Sequence, residues 1–271
     1  MNKLQVKDYT LTDKITEEQF DFFSKHGLIV FRNFIPKETV DTFLGEIKRI
    51  EKQWLDEGVE KINGIPLKFG KDEHGNKTIQ RLCFTSQYSP ILHDFLNEPR
   101  LQALTELVRP YEGRIGENEK DGLVVNNYIR TPNSAFSQMG WHTDSPRDLF
   151  MGQRIMPMLN VGIHLDNCPM ENGGLRVLAG THRQGMLKLL FKKKYFVDHK
   201  PDPKEIGLDI NAGDLTVHDG RLWHRVQQSP YYGEQSRRRV MYIPVVTGKY
   251  MPKDKNSKTP FYHKFASTVQ N

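Results

Sequence analysis

Two short motifs in the second half of the chain place a histidine and an aspartate two residues apart. They are His142-Thr-Asp144 and His164-Leu-Asp166. With ten histidines and 33 acidic residues, chance alone predicts about one such tripeptide, so the motif has meaning only through its geometry. Residues i and i+2 of a strand point to the same face, so either motif can offer a nitrogen and an oxygen to one cation.

A later histidine would complete a set of two imidazoles and one carboxylate. Such a set leaves three positions open on Fe(II), whereas a closed site of four protein ligands would not admit two reactants. The candidates are His218 and His224. We favour His224, because it falls within the apolar run 222–226, where a strand would hold it, while His218 precedes the turn dipeptide Asp219-Gly220.

Three consecutive arginines, Arg237, Arg238 and Arg239, open a strand-like run that continues to Val246. An arginine that faces inward can clamp a carboxylate with two parallel hydrogen bonds, because guanidinium is planar and stays charged when buried. Alternation places Arg238 on one face of the strand and its two neighbours on the other. The residues alone leave the choice between these faces open.

The elements that must hold these side chains are short strands. From Gly122 onward, strand-like runs alternate with Gly, Pro and Asn, and such spacing is typical of a barrel or a two-sheet jelly roll. The predicted strands are Leu123–Arg130, Ile155–Leu165, Leu175–Leu178, Leu215–Val217, Leu222–Gln227 and Arg238–Val246.

The first part of the chain is predicted to be helical. Thr16 can cap a helix that stops at Gly27, a strand follows, and Pro36 opens a longer helix with apolar residues at helical spacing. We therefore expect a mainly β fold with flanking helices: helices in about 1–121, packed on the outside of a jelly roll at about 122–247. No linker or repeat is visible, which predicts one domain over 1–271.

Composition excludes several classes of protein. The chain is 37% hydrophobic and 27% charged, and it has no apolar stretch near the roughly 20 residues of a membrane span. Two cysteines in no paired spacing and the lack of a signal-like start predict a cytoplasmic protein. The net charge of +6 is modest, so we expect neither a nucleic-acid partner nor a membrane.

Four blocks of the sequence resemble the phytanoyl-CoA dioxygenase family of Fe(II)- and 2-oxoglutarate-dependent oxygenases. The third block, with its Leu-Asp-Asn, Glu-Asn-Gly and Gly-Thr-His elements, is the most specific, and together the blocks span 20–246. They are the Gly27-Leu-Ile-Val-Phe opening, Trp141-His-Thr-Asp144, the run 165–182 and the run from Gly213-Asp to Arg238.

The resemblance implies a ligand set and a role for one arginine. His142, Asp144 and His224 take the family's metal-ligand and catalytic positions, and the other tripeptide becomes structural. Arg238 best fits the family residue that binds the far carboxylate of 2-oxoglutarate, with Arg237 as one fallback and Arg239 as the other.

The sequence departs from the family pattern where the co-substrate binds. After His224 the residues are Arg225-Val226 rather than Gly-Ser, so a serine that contributes to co-substrate binding is missing. The resemblance therefore leaves these hydrogen bonds to other groups, and Asn127 and Asn160 are the candidates for cofactor binding. His182 is expected to be structural.

The implied reaction uses Fe(II), 2-oxoglutarate and O₂ to hydroxylate an unactivated C–H bond of a small molecule or acyl substrate, with release of succinate and CO₂. Halogenases of this kind lack the carboxylate ligand, so Asp144 favours hydroxylation. The alternative is a metal-binding jelly roll with a non-redox function, which would not need the arginine clamp. The positive charge balance allows an anionic or thioester-linked substrate, which would be selected by the segments 59–80, 145–153 and 188–200.

Overall fold

The structure is a computed structural model that describes residues 6–132, 134, 136–146, 148 and 154–260. The helices are α1 Glu17–His26, α2 Lys37–Asp56, α3 Pro90–Phe95, α4 Pro99–Ala103 and α5 Met186–Phe191. The strands of the first half are β1 Asp8–Tyr9, β2 Leu28–Phe31, β3 Lys61–Ile62, β4 Ile65–Pro66, β5 Lys68–Lys71, β6 Lys77–Leu82, β7 Arg114–Ile115 and β8 Val124–Arg130. Those of the second half are β9 Met139–His142, β10 Met158–His164, β11 Gly174–Val177, β12 Ile206–Gly207, β13 Leu215–Asp219, β14 His224–Gln227 and β15 Gly233–Val246.

Helix α1 begins and ends where the sequence predicts. The Thr16 hydroxyl accepts from the backbone N–H of Gln19 at 3.2 Å, and the Gln19 side chain accepts from the backbone N–H of Thr16 at 3.0 Å. This capping box satisfies two N–H groups that the first turn of a helix leaves without partners. The helix stops at Gly27, whose φ of 74° lies in the left-handed region that favours glycine.

Helix α2 buries one face against the larger sheet. The spacing of three and four residues between its apolar side chains places them on a single stripe, as predicted. These residues share one apolar cluster with Ile79 and Leu82 of β6. The buried side chains of α2 are Val40, Phe43, Ile47, Ile50 and Trp54.

Two sheets form the jelly roll that the sequence predicts. The larger sheet has the order β1-β2-β13-β10-β15-β8-β6-β5, with β7 added beside β15, and the smaller sheet has the order β12-β11-β14-β9. Neighbours such as β10 and β13 are far apart in the chain, so their pairing fixes which residues meet between the sheets.

The N-terminal part is more than the helical layer that we expected. The segment 59–80 forms the β3–β4 hairpin and most of the β5–β6 hairpin. Strand β6 pairs with β8, and β2 pairs with β13, so both extend the larger sheet. Strand β2 is the strand predicted after the first helix, whereas alternation in the runs that form β3 to β6 is too weak to reveal them without their partners.

Two further expectations concern cysteines and membrane spans. Cys83 and Cys168 are free and buried, as their lack of paired spacing suggests, and burial raises the pKa of Cys83 to about 12. Within the described residues, none of the helices combines the length and apolar character that crossing a membrane requires.

Candidate metal centre

Histidines 142 and 224 face each other across two paired strands of the smaller sheet. His142 ends β9, His224 begins β14, and the two residues are direct partners in the antiparallel register. Their ring centroids lie 4.1 Å apart. One ligand atom from each of these histidines and from Asp144 lies within 4.8 Å of the other two.

Each imidazole is oriented by its own strand. The Nδ1 of His142 is 2.8 Å from the carbonyl oxygen of Gly140, and the Nδ1 of His224 is 2.9 Å from that of Leu222. An N–H that donates to a carbonyl fixes the tautomer and directs the other nitrogen, Nε2, to the opposite side of the ring. Both Nε2 atoms are therefore available for a metal.

Asp144 follows β9 rather than lying on it, so the strand geometry of the His-x-Asp motif applies only in part. Its backbone N–H donates to the carbonyl of Gly220 at 2.8 Å, which ties it to the turn before His224. Its Oδ2 accepts from the Nδ2 of Asn160 at 2.8 Å and lies 3.8 Å from the Nε2 of His224. The turn, not the strand, brings the carboxylate to the two imidazoles.

The protonation states suit a cation. Burial lowers the pKa of His142 and, together with the neighbouring imidazoles, lowers the pKa of His224 well below its usual value. Burial would raise the pKa of Asp144, but the charge of His224, a contact from His218 and the charge of His142 hold it well below its usual range. Neutral imidazoles and an ionised carboxylate are the forms that bind a metal.

The three side chains fit divalent iron. Ligand atoms about 2.1 Å from one ion lie about 3 Å apart when adjacent, so the three atoms, which lie within 4.8 Å of one another, would need only a modest inward movement to share one ion. Two imidazoles and one carboxylate on one side of an ion leave the other side open for reactants. The arrangement can therefore hold a metal that also binds a small chelating molecule.

The three arginines of β15 have different partners. Arg237 pairs with Glu234, and the Nη2 of Arg239 lies 2.6 Å from Asp166. Arg238 is buried and donates to backbone carbonyls, those of Gln227 at 2.8 Å and Ser137 at 3.1 Å. In the part of the chain that the structure describes, Arg238 makes no ion pair with a carboxylate.

Two tyrosines lie in the electric field of both Asp144 and Arg238. Burial raises the pKa of Tyr242 well above its usual value and also raises that of Tyr128; in both cases the charge of Asp144 adds to the rise and that of Arg238 opposes it. Both tyrosines line a cavity with Arg238 and Val226. The cavity therefore presents a cation and two phenol groups within reach of the site.

Comparison with known proteins identifies the family. Residues 23–230 match the model of the phytanoyl-CoA dioxygenase family (PhyH). The chain belongs to the phytanoyl-CoA dioxygenase family. It is an Fe(II)- and 2-oxoglutarate-dependent oxygenase that uses O₂, and the non-redox alternative is set aside.

Individual relatives are distant. Ectoine dioxygenase of Bordetella bronchiseptica is 23% identical over 225 residues, covering 77% of this chain and 66% of its own. The structure of HygX from Streptomyces hygroscopicus, with nickel and 2-oxoglutarate bound, has a TM-score of 0.61 at 16% identity and covers 88% of this chain and 89% of its own. The carbocyclase SnoK from nogalamycin biosynthesis has a TM-score of 0.65 at 15% identity and covers 96% and 93%. At these identities the structures support the jelly-roll fold.

Asn127, one of the two candidates for co-substrate binding, lies away from Arg238 in the structure. Asn127 is the cross-strand partner of Arg239, and its Oδ1 accepts from the Nη1 of Arg237 at 2.9 Å. It therefore lies on the face of the sheet opposite to Arg238. Its neighbour Asn126 pairs with Val240 on the inner face, where its Oδ1 is buried without a partner among the described residues.

Asn160, the other candidate for co-substrate binding, lies at the metal centre. Its side-chain amide donates a hydrogen bond to the carboxylate of Asp144. The second tripeptide has the structural role that was expected. The Nε2 of His164 is 3.0 Å from the hydroxyl of Thr216, and Asp166 binds Arg239. His182 is also structural, since its Nε2 lies 3.0 Å from the carbonyl of Ser24.

Three residues border the centre in positions that the sequence did not reveal: His218, which was considered only as a ligand, and Lys68 and Phe196, which were not singled out. His218 was placed before a turn, but it lies within β13 and its Nε2 is 3.7 Å from Asp144. Lys68 is largely buried, which lowers its pKa to about 8, and its charge reaches His142. Phe196 stacks on His142 at 4.9 Å between ring centroids. None of these residues belongs to the His-x-Asp motif, and contacts between distant parts of the chain bring them close.

Proposed function

We propose that the enzyme hydroxylates an unactivated C–H bond of a small organic substrate at an iron held by His142, Asp144 and His224. The observation that carries this proposal is the grouping of their three ligand atoms within 4.8 Å. When bound, iron supplies the oxidising chemistry for the C–H bond, driven by conversion of 2-oxoglutarate and O₂ to succinate and CO₂.

Each residue of the centre has a defined task. The Nε2 atoms of His142 and His224 hold the ion from one side, because their Nδ1 atoms are already engaged with carbonyl groups. Asp144 would supply negative charge to the ion. It would also take the metal-ligand position that is open to a halide in halogenases, which favours hydroxylation over halogenation. The burial of both imidazoles keeps bulk water away from that side of the ion.

Arg238 is the proposed clamp for the 5-carboxylate of 2-oxoglutarate. Its two neighbours are already paired with acidic side chains, while its own guanidinium donates to carbonyl oxygens and can add a bidentate contact to a carboxylate. Tyr128 and Tyr242 offer hydroxyl groups in the same cavity. Asn126, in place of Asn127, offers an amide on the inner face.

The proposed substrate is anionic. The segment 186–204 holds six lysines and two aspartates, so it contributes +4 of the net +6 of the chain. It borders the centre directly: Phe196 stacks on His142, and the Tyr195 hydroxyl is 2.7 Å from that of Thr143. Lysines beside the centre raise the local concentration of an anion and steer its approach. A carboxylate, phosphate or thioester-linked acyl group would satisfy this preference.

We also propose that the chain forms one domain. One apolar cluster includes residues of α1, of α2 and of the larger sheet, so the helices and the jelly roll share a core. Limited proteolysis followed by separate unfolding of the fragments tests this. A single cooperative transition is expected, and independent folding of a helical fragment would contradict it.

The metal and co-substrate test uses anaerobic protein. Fe(II) and then 2-oxoglutarate are added, and the visible charge-transfer absorption of the chelate is recorded. Wild-type protein should develop the band, and His224→Ala and Asp144→Ala should not. A variant of the structural histidine, His164→Leu, serves as the control and should keep the band. Absence of the band in wild-type protein with iron bound would overturn the proposal.

The charge of the substrate is tested by the succinate released with panels of anionic and neutral small molecules. Anionic members should stimulate turnover, and the double variant Lys192→Glu/Lys194→Glu should reduce their apparent affinity. Lys48→Glu, on the exposed face of α2, has the same charge change per site and should have little effect. Equal stimulation by neutral members, or equal effects of both variants, would contradict an anionic substrate.

A further inference from the structure

A fourth histidine, His218, borders the proposed metal centre. It lies on β13 opposite Asn160 of β10, and the residue is 1% exposed. Its ring centroid is 4.5 Å from that of His224, and its Nε2 is 3.7 Å from the Oδ2 of Asp144. Among the described residues, neither of its ring nitrogens has a hydrogen-bond partner.

Such a side chain is costly for the fold alone. Nearly all buried polar groups are hydrogen-bonded, and a buried donor or acceptor without a partner destabilises the native state. An apolar residue at position 218 would avoid this cost. The carboxylate of Asp144 lies 3.7 Å from the Nε2 of His218, which makes it a candidate partner for the ring.

We propose that His218 is a positioning residue for Asp144: in the metal-loaded enzyme, its Nε2–H donates a hydrogen bond to the Asp144 carboxylate. The proposal rests on the proposed metal centre. Asn160 already donates to Oδ2 of the same carboxylate at 2.8 Å. A gap of 3.7 Å needs only a small movement of either side chain to become a hydrogen bond.

Two donors on one carboxylate limit its rotation. A carboxylate that binds an ion through both oxygens occupies two positions, whereas one held by outer hydrogen bonds can present a single oxygen. The reaction needs three open positions, two for 2-oxoglutarate and one for O₂. His218 and Asn160 together therefore hold Asp144 in the form that leaves those positions free.

The geometry disfavours His218 as a fourth ligand. The set of atoms that lie within 4.8 Å of one another contains His142, Asp144 and His224 but not His218. A fourth protein ligand would also leave too few positions for the two reactants. The ring therefore acts through Asp144.

The test compares three variants of the purified chain. His218→Leu removes the donor, His218→Gln keeps an N–H near the same place, and His164→Leu removes a buried histidine that does not touch the centre. Affinity is measured by titration with Co(II), a spectroscopic substitute for Fe(II). Loss of a partner of a metal ligand typically costs about 10- to 100-fold in affinity. We expect that loss for His218→Leu, recovery to within about threefold for His218→Gln, and little change for His164→Leu.

Two further readouts separate positioning from a structural role. The metal-free His218→Leu protein should unfold at the wild-type temperature or above it, because an unpartnered buried imidazole has been removed. The charge-transfer band of the iron and 2-oxoglutarate complex should shift in His218→Leu and return in His218→Gln. A fall in unfolding temperature of the metal-free protein, with an unshifted band, would make His218 structural and overturn the proposal.

The proposal and the metal centre can fail separately. If wild-type protein binds no Co(II), the metal centre itself is wrong. If wild-type and His218→Leu bind Co(II) equally, only the role of His218 is wrong. X-ray absorption of the wild-type complex should report two imidazoles, and three would make His218 a ligand and overturn the positioning role.

Discussion

His142 and His224 are direct cross-strand partners, and each directs its Nδ1 to the carbonyl of the residue two positions before it. The two imidazoles are therefore fixed by backbone groups of their own strands, at the point where both strands approach the turn that holds Asp144. Pre-organisation of this kind reduces the cost of collecting ligands around an ion. Changes at these strands should act on metal binding before they act on the fold.

Arg238→Lys should separate co-substrate binding from metal binding. Lysine keeps a positive charge but loses the planar fork that grips a carboxylate with two bonds. We expect the dissociation constant of 2-oxoglutarate to rise by about 10- to 100-fold, because one of two hydrogen bonds to a charged group is lost, at a cost of about 1.5–3 kcal/mol, while Co(II) affinity stays unchanged. Arg239→Lys is the matched control, since Arg239 pairs with Asp166 on the other face. Isothermal titration measures both constants, and equal effects of the two variants would contradict the assignment.

Gly140→Ala should weaken the edge of the smaller sheet. A Cβ at this position would overlap the backbone carbonyl of Phe196, which belongs to the segment packed against β9. Overpacking of this kind destabilises by about 1–3 kcal/mol, and metal affinity should fall because His142 lies on the same strand. Gly45→Ala is the opposite case. No atom lies within 4 Å of a Cβ added at Gly45, and alanine favours a helix such as α2 more than glycine does, so this variant should stabilise the protein by about 1 kcal/mol.

Chemical denaturation of both glycine variants, with a chelator present, provides the comparison. Equal free energies of unfolding for Gly140→Ala and the wild type would mean that the segment 186–204 does not pack on β9.

The stability of the metal-free protein should depend on pH partly through His164. Burial lowers the pKa of His164 to about 4, whereas an unfolded histidine titrates near 6.5. As the pH falls from 6.5 towards 4, this histidine is protonated in the unfolded state but stays neutral in the native state. The free energy of unfolding therefore falls over this range, and below pH 4 the dependence ends because both states are protonated. Between pH 7 and pH 5 the loss from this residue is about 2 kcal/mol.

His164→Gln can still bond to Thr216 but has no titrating ring. It should lose less stability between pH 7 and pH 5 than the wild type, as measured by urea unfolding at each pH with a chelator. Parallel curves for the two proteins would show that His164 does not carry this pH dependence.

Thr16→Ala should destabilise the protein by about 1 kcal/mol, because the cap of α1 loses the hydroxyl that accepts from Gln19. Thr16→Ser keeps the hydroxyl and is the control. Thermal or urea unfolding measures the difference, and equal losses in the two variants would exclude capping as the cause.

Much of this protein follows from its sequence alone. The helix caps, the apolar stripe of α2 and the short alternating runs are local patterns, because side-chain period and backbone sterics act within a few residues. Spacing alone left two His-x-Asp tripeptides open, and the resemblance to the family selected His142 and Asp144, which the fold brings together with His224.

Only the tertiary structure decided which neighbours these side chains have. Asn127 and Asn126 differ by one position, yet the pairing of β8 with β15 places one beside Arg237 and the other on the inner face. Likewise, the sequence shows only that His218 precedes a turn dipeptide. The pairing of β13 with β10 places its side chain 3.7 Å from Asp144. The physical reason is register: a shift of one residue reverses every side chain of a strand, and register is fixed by partners far away in the chain.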